Sequence, residues 1–175
     1  MDLYQALSTG IPCEATAQGV IERPEITDPE RGHPDAVAVV RTSGSTGTPK
    51  QTLLTAPALA ASAQATAEHI GGQGQWLLAV GTQYVAGLAV VSRSVHAGTD
   101  PVIIDPGFSP AEFVAGTNQL DHPFTAVSLV PTQLLRLLEH EDAIVALQSY
   151  SAILVGGAAI PERIHQATEH YELHL

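Results

Sequence analysis

T-S-G-S-T-G-T-P-K, residues 42–50, is the stretch that decides the fold and chemistry of this chain. Two glycines and five hydroxyl side chains lie within nine positions, and Lys50 is the only lysine of the 175 residues. Glycines let backbone N–H groups face a ligand, hydroxyls donate hydrogen bonds, and a lysine supplies a point charge for phosphate. In a chain of net charge −11, this composition predicts an anion-binding loop. The alternative is a solvated surface loop rich in turn formers.

The loop does not match the common glycine-rich nucleotide motifs. A Walker loop requires G-x-x-x-x-G-K-[ST]. Counted from Gly44, Pro49 takes the place of the second glycine, and Gln51 follows the lysine. The pattern G-x-G-x-x-G does not occur either. A phosphotransferase of the P-loop type is therefore disfavoured.

The sequence around the loop predicts an α/β fold, a mostly parallel sheet with helices on both faces. Residues 36–41 form a β-branched run that leads into the loop, and residues 51–54 are predicted to return as the second strand of a hairpin. Further strands are predicted at 19–21, 76–80, 101–105, 124–130 and 151–155, and helices at 3–7, 56–70, 85–97, from Ser109 onward, 131–139, 143–147 and 161–171.

Residues 1–35 are predicted to be an irregular N-terminal segment. Pro12, Pro24 and Pro29, together with Gly10 and Gly19, interrupt any long element there. The domain that carries the loop is predicted to begin at residue 36.

Composition excludes several classes of partner. Eighteen acidic residues against seven basic ones argue against nucleic acid and against anionic membrane surfaces. The N-terminus lacks a signal-peptide pattern, and no window approaches the ~18 apolar residues of a membrane span. Cys13 is the only cysteine, so no internal disulfide is predicted. The eight histidines are scattered without a metal-binding pattern, and we predict no metal ligands and a cytoplasmic protein.

The loop resembles the phosphate-binding signature of the adenylate-forming superfamily, which includes acyl-CoA and aryl-CoA ligases, luciferases and peptide adenylation domains. That signature is [ST]-[SG]-G-[ST]-T-G-x-P-K, and every position agrees. The resemblance implies that the β- and γ-phosphates of ATP are bound by Thr42, Ser43, Gly44, Ser45, Thr46, Gly47 and Lys50.

Four later stretches are similar, in the same order, to the 2-succinylbenzoate–CoA ligases of menaquinone biosynthesis. They are W-L-L-A-V-G-T-Q-Y-V-A-G-L (76–88), H-A-G-T-D-P-V (96–102), V-S-L-V-P-T-Q-L-L-R-L-L (127–138) and I-L-V-G-G-A-A (153–159). The similarity covers roughly residues 36–165. It implies an enzyme that adenylates an acid with ATP, releases pyrophosphate and transfers the acyl group to coenzyme A.

The resemblance implies ATP, Mg²⁺ and coenzyme A as cofactors and a small-molecule acid as substrate, and it leaves a homodimer open. Another aryl- or fatty acid–CoA ligase, and a non-catalytic nucleotide-binding domain, are the alternatives. By the same resemblance, the acid or its adenylate would be contacted by Tyr84, Gly87, Ser128, Thr132, Gly156, Gly157 and Ala158, with Gln133 nearby.

Several of these residues have simpler explanations. The family commonly carries an aromatic or histidine pair where this chain has Gln83 and Tyr84, so Tyr84 could instead be a core residue. Ser128 could be an ordinary strand hydroxyl, and Thr132 and Gln133 an ordinary first turn of a helix.

The resemblance also indicates what lies beyond this sequence. Members of the superfamily carry a later Y-G-x-T-E stretch, an aspartate for the ribose, a hinge and a C-terminal domain whose lysine drives adenylation. This sequence ends at Leu175, before such a stretch, and Lys50 is its only lysine. We therefore expect residues 36–175 to be an incomplete N-terminal ATP- and acid-binding domain, without the C-terminal domain, without a catalytic residue of its own and inactive alone.

Overall fold

The computed structural model describes residues 2–26, 35–42, 50–105 and 107–175. Two four-stranded sheets organise these residues, which we call the hairpin sheet and the parallel sheet. The elements follow in the order α1 (Leu3–Thr9), β1 (Cys13–Thr16), β2 (Gly19–Glu22), β3 (Ala36–Thr42), β4 (Lys50–Thr55), α2 (Ala56–Ile70), β5 (Gln75–Leu78), α3 (Val85–Ala97), β6 (Val102–Ile103), α4 (Pro110–Thr117), β7 (Thr125–Leu129), α5 (Pro131–Leu137), α6 (Glu141–Gln148), β8 (Ala152–Val155) and α7 (Glu162–Tyr171).

The hairpin sheet has the strand order β2-β1-β3-β4. Strands β3 and β4 pair antiparallel, from Ala36 opposite Thr55 to Thr42 opposite Lys50, so the predicted hairpin is confirmed. Strand β1 pairs parallel to β3 and antiparallel to β2. Strands β3 and β4 are antiparallel because a short connection can only join antiparallel neighbours, and the four strands form a sheet separate from the parallel sheet.

The N-terminal segment has more structure than an irregular segment would. The helix predicted at 3–7 and the strand predicted at 19–21 are present as α1 and β2, and the segment also contains β1, an inner strand of the hairpin sheet that was not predicted. Prolines and glycines still bound these elements: Gly10 ends α1 with φ of 71°, and Pro12 immediately precedes β1. The elements between the breakers are simply short.

The parallel sheet has the order β6-β5-β7-β8, and every neighbouring pair is parallel. This confirms the predicted α/β architecture with helices between successive strands. The chain passes from β5 outward to β6, returns across β5 to β7 and continues to β8. The order therefore reverses direction beside β5, and such a reversal leaves a crevice at the carboxyl ends of the strands.

Both faces of the parallel sheet are buried. Leu77, Val127 and Ile153 pack on one face against the core that includes Phe113 of α4 and Leu134 of α5. The alternate residues of the same strands belong to a second core, shared with α1, α3 and the hairpin sheet: Trp76, Leu78, Ala126, Ala152, Val90, Leu3, Ala38 and Val40. Helix α3 thus contributes apolar residues to the same core as strands of both sheets.

Cys13 lies in the second core at the start of β1, and its side chain is fully buried. The thiol donates a hydrogen bond to the carbonyl oxygen of Val37, with an Sγ–O distance of 3.4 Å. Burial raises the pKa of Cys13 to about 11. The side chain therefore stays a neutral thiol at physiological pH and acts as a small apolar residue.

Local sequence signals set the helix ends. Thr55 caps α2 by accepting from the N–H of Ala58, and Gly71, with φ of 82°, ends the same helix. Ser109 and Glu112 form a capping box at α4: the serine Oγ accepts from the glutamate N–H at 3.2 Å, and the glutamate carboxylate accepts from the serine N–H at 3.0 Å. Of the helices that the structure describes, none has the length and apolarity needed to cross a bilayer.

Replacing Ser109 with alanine is expected to lower the free energy of unfolding by about 1 kcal/mol, because the first turn of α4 loses the acceptor for one unpaired N–H. Urea denaturation monitored by circular dichroism measures the change. Ser62→Ala, at an exposed site within α2, is the matched control and should leave the unfolding midpoint nearly unchanged. Equal effects of the two substitutions would contradict the capping role.

Candidate functional site

The hairpin brings the two ends of the predicted phosphate loop together. Thr42 is the last residue of β3, Lys50 is the first residue of β4, and the two are register partners. Lys50 is exposed, as a residue that meets a soluble ligand must be. The remaining predicted phosphate contacts, Ser43, Gly44, Ser45, Thr46 and Gly47, lie outside the described residues. Their assignment to ATP phosphates stays a prediction.

A cavity of about 830 Å³ runs along β8, from Ser151 before the strand to Gly157 after it, on the face of the sheet that α3 covers. At the carboxyl end of the strands it is lined by Val80, Val130 and Gly156. The α3 face formed by Val85, Ala86, Ala89 and Arg93 also lines it, with Arg93 toward the amino ends of the strands, beside Trp76. Only its carboxyl end coincides with the crevice expected where the strand order reverses, and its volume is that of a small-molecule site.

Helical geometry puts Arg93 into this wall, because residues 85, 89 and 93 are four apart and share one helix face. Its guanidinium lies over the Trp76 ring, with Cζ 4.9 Å from the ring centroid. Its Nε is buried and has no hydrogen-bond partner among the described residues. Burial lowers the pKa of Arg93 below its ordinary value, but an arginine remains charged in proteins.

The charge of the cavity lining contrasts with that of the chain. The net charge of the sequence is −11, yet the residues that line the described cavity include Arg93, His69 and His174 and no aspartate or glutamate. A buried guanidinium with an unused N–H is stabilised by an anionic partner. The cavity is therefore suited to an acid that has a carboxylate bound beside Arg93.

The structure brings three of the predicted pocket residues to this cavity: Ser128, which is buried in β7, and the exposed Gly156 and Gly157 after β8. Gly157 has a φ of 84°, which favours glycine at this turn. Thr132 and Ala158 are exposed and do not line the cavity.

Tyr84 is the residue before α3, and 63% of its surface is exposed. The alternative that Tyr84 is a core residue is therefore wrong. Its neighbour Val85 lines the cavity, so Tyr84 lies at the rim rather than among the lining residues. Its role in acid binding stays a prediction.

Gly87 has a structural reason to be glycine. A Cβ at this position would collide with the carbonyl oxygen of Gly81, because the first turn of α3 passes directly against that backbone. Glycine here allows close helix-to-loop packing beside the cavity, and Gly87 itself is not among the lining residues.

Gln133 fixes the shape of the crevice. Its Oε1 accepts from the N–H of Val130 at 3.0 Å, and its Nε2 donates to the carbonyl oxygen of Ala79 at 2.7 Å. This side chain connects the first turn of α5 to the end of β5. Gln133 therefore lies in an ordinary first turn of a helix, as the alternative stated. Its two hydrogen bonds also help to hold β5 and β7, two strands beside the cavity, in register.

Sequence reasoning missed Arg93. One signal was available: Arg93 is the only lysine or arginine of α3, on the same helix face as Val85 and Ala89, in a chain with only seven lysines and arginines. The pattern could not show which way the side chain points, or that Trp76, seventeen residues earlier, lies beneath it.

Comparison with known proteins agrees with this geometry. The model of the AMP-binding enzyme family matches residues 5–171. The chain belongs to the AMP-binding enzyme family. The match starts well before residue 36, so the N-terminal segment belongs to the family domain, as β1 of the hairpin sheet already indicates.

Individual members of the AMP-binding enzyme family are also similar to this chain. One is the "Probable 2-succinylbenzoate–CoA ligase" of Mycobacterium tuberculosis, 44% identical over 135 residues, which cover 76% of this chain and 35% of the relative. Another is 2-succinylbenzoate–CoA ligase of Escherichia coli, 40% identical over 132 residues, 73% of this chain and 26% of the relative. The chain thus spans about a third or less of these relatives.

A solved structure of the same family has a similar fold. It is o-succinylbenzoate CoA synthetase from Bacillus subtilis in complex with the acyl-adenylate intermediate OSB-AMP. It aligns with a TM-score of 0.65 and 26% identity over 79% of this chain and 35% of that chain. The adenylate-forming fold predicted from the loop is confirmed.

Two glycine substitutions should distinguish a glycine required by close packing from a glycine that faces open space. Gly87→Ala is expected to destabilise the fold by about 1–3 kcal/mol, because the new Cβ meets a backbone carbonyl that cannot move cheaply. Gly156→Ala is the matched control, since nothing lies within 4 Å of its added Cβ, and it should change stability by less than about 0.5 kcal/mol. Urea unfolding of both variants tests this. Similar losses at both sites would show that the contact with Gly81 does not matter.

Proposed function

We propose that this chain forms the phosphate loop and the acid pocket of an ATP-dependent acid–CoA ligase that acts on 2-succinylbenzoate. The observation that carries the proposal is the cavity along β8, with Arg93 in its wall and no aspartate or glutamate side chain among the described residues that line it. The names of the similar ligases supply the substrate. The matched loop sequence supplies the nucleotide.

The chemistry takes two steps. A carboxylate oxygen of the acid attacks the α-phosphorus of ATP, and the bond to the bridging oxygen of the leaving pyrophosphate breaks. The sulfur of coenzyme A then attacks the acyl carbonyl, AMP leaves, and the thiol proton is lost to solvent. Because the carboxylate and the phosphates repel each other, positioning and charge stabilisation are the main contributions a protein can make.

The residues of this chain would contribute to the first step in two places. The loop at residues 42–50 would hold the β- and γ-phosphates, with Lys50 as the cation. Gly156 and Gly157, beside Ser128, would let a flat acyl adenylate lie close to the backbone at the end of β8. Tyr84, Gly87, Thr132 and Ala158 do not line the cavity, and their contact with the acid or its adenylate stays a prediction. Mg²⁺ would arrive with the phosphates, which usually supply several of its ligands.

Arg93 explains why an acid with two carboxylates fits. 2-Succinylbenzoate activates one carboxylate and retains the other as an anion. An anion buried without a partner is costly, whereas a guanidinium forms charge-assisted hydrogen bonds with it. The buried Nε of Arg93 is the donor that the described protein leaves unused. The cytoplasmic location and the homodimer stay predictions of the sequence.

ATP–pyrophosphate exchange tests the proposed reaction. A protein of full ligase length that includes this sequence should exchange label in the presence of 2-succinylbenzoate and form its CoA thioester. The 175-residue chain alone should stay at background, because it spans about a third of the ligases it resembles. Exchange with a fatty acid or with malonate, and none with 2-succinylbenzoate, would overturn the proposed substrate but not the reaction class.

Arg93→Met should raise KM for 2-succinylbenzoate roughly 10- to 100-fold, the loss expected for a hydrogen bond to a charged group. KM for ATP should not change. In binding titrations with 4-oxo-4-phenylbutanoate, which lacks the ring carboxylate, and with 2-butanoylbenzoate, which lacks the succinyl carboxylate, one acid should show no change of Kd in Arg93→Met. The carboxylate which that acid lacks is the one that Arg93 binds.

Arg163→Met is the control for Arg93, because Arg163 is exposed and forms only a surface ion pair with Glu139 at 3.7 Å. It should leave all constants unchanged. Stability of Arg93→Met should not fall greatly, since removing a buried charge is often neutral. Equal penalties with all three acids, or a matching rise of KM for ATP, would contradict the assignment.

A further inference from the structure

A buried carboxylate connects the loop end of the β3–β4 hairpin to the N-terminal segment. Glu14 lies on β1 next to β3, with Val39 as its register partner. Only 5% of its side chain is exposed. Arg41 donates to both of its oxygens, from Nε at 2.5 Å and from Nη2 at 3.2 Å.

A second contact holds the opposite strand of the hairpin. Gln51 of β4 is the register partner of Arg41. Its side-chain Nε2 donates to the backbone carbonyl oxygen of Glu25 at 2.8 Å. Both residues of this rung are thus bonded to the segment 13–26. The next rung is Thr42 opposite Lys50, where the predicted phosphate loop begins and ends.

A bidentate pair of this kind fixes geometry more than it adds stability. Glu14 is buried but the Arg41 side chain is 41% exposed, so water screens the pair, and desolvation of the carboxylate offsets much of the attraction. Two parallel N–H···O bonds, however, set both the distance and the orientation of the groups. Hydrogen bonding to Glu14 raises the pKa of Arg41, and the charges of Glu14 and Glu25 add to that effect.

We propose that Glu14 is a positioning residue for nucleotide binding: through Arg41 it fixes the hairpin rung that holds the two ends of the phosphate loop. The inference rests on the proposed function of that loop. Because only 5% of its side chain is exposed, Glu14 would act through Arg41 and not by direct contact with the nucleotide. It would fix the positions of Thr42 and Lys50, and a shift of about 1 Å at these two residues can weaken nucleotide binding greatly.

Glu14→Gln tests the proposal, because glutamine keeps the shape of the side chain and loses the charge and one acceptor. In the protein of full ligase length, KM for ATP should rise roughly fivefold to fiftyfold. KM for 2-succinylbenzoate should stay within about twofold, since the cavity lies at the other sheet. Calorimetric titration with MgATP should show the same increase in Kd.

Glu139→Gln is the matched control, since Glu139 belongs to the exposed ion pair with Arg163, and it should change neither constant. Arg41→Lys keeps the charge but cannot bind both oxygens, so its KM for ATP should lie between wild type and Glu14→Gln. If Glu14→Gln does not fold, the KM for ATP of Arg41→Lys tests the same positioning role. A double-mutant cycle with Arg41→Met should be non-additive in KM for ATP.

The possible outcomes distinguish the positioning role of Glu14 from the proposed function of the phosphate loop. Wild-type activity with an unchanged KM for ATP in Glu14→Gln and Arg41→Lys would overturn the positioning role and leave the proposed function intact. Equal rises of KM for ATP and for the acid would also overturn it, because a general loss of structure affects both sites. A wild-type protein that neither binds MgATP nor exchanges pyrophosphate would overturn the proposed function itself.

Discussion

Burial of both faces of the parallel sheet is the constraint on which the rest of this structure depends. Strands β5, β7 and β8 carry apolar side chains on both faces, because helices cover one face and the second core covers the other. Charged groups are absent from these three strands, and Ser128 is the buried polar residue among them. The small residues Gly156 and Gly157 follow directly where β8 ends, at one end of the cavity.

The two sheets divide the proposed chemistry between them. The parallel sheet supplies the walls of the acid cavity, and the hairpin sheet presents the ends of the phosphate loop. Helix α3 connects the two, since Val90 packs in the core shared with Ala38 while Arg93, one turn later, faces the cavity. Side chains of one helix thus contact both halves of the proposed site, so its position decides their relative geometry.

The sequence predicted elements well where local signals were strong. Gly71 and Gly98 end helices, Ser109 caps one, and the β-branched run before the loop is a strand. It did not predict the pairing of β1 with β3, because short strands between prolines carry little local pattern and pairing is a long-range property. For the same reason the division into two sheets, and the meeting of Arg93 with Trp76, could not be predicted from spacing alone.

The buried thiol of Cys13 has a practical consequence. It is the only cysteine of the sequence, it is fully covered, and at neutral pH it holds its proton. Reagents that alkylate thiolates will scarcely touch it while the chain is folded. A cysteine placed at any exposed position would then be the single reactive handle, so a fluorophore or spin label could be attached there without first removing the native residue.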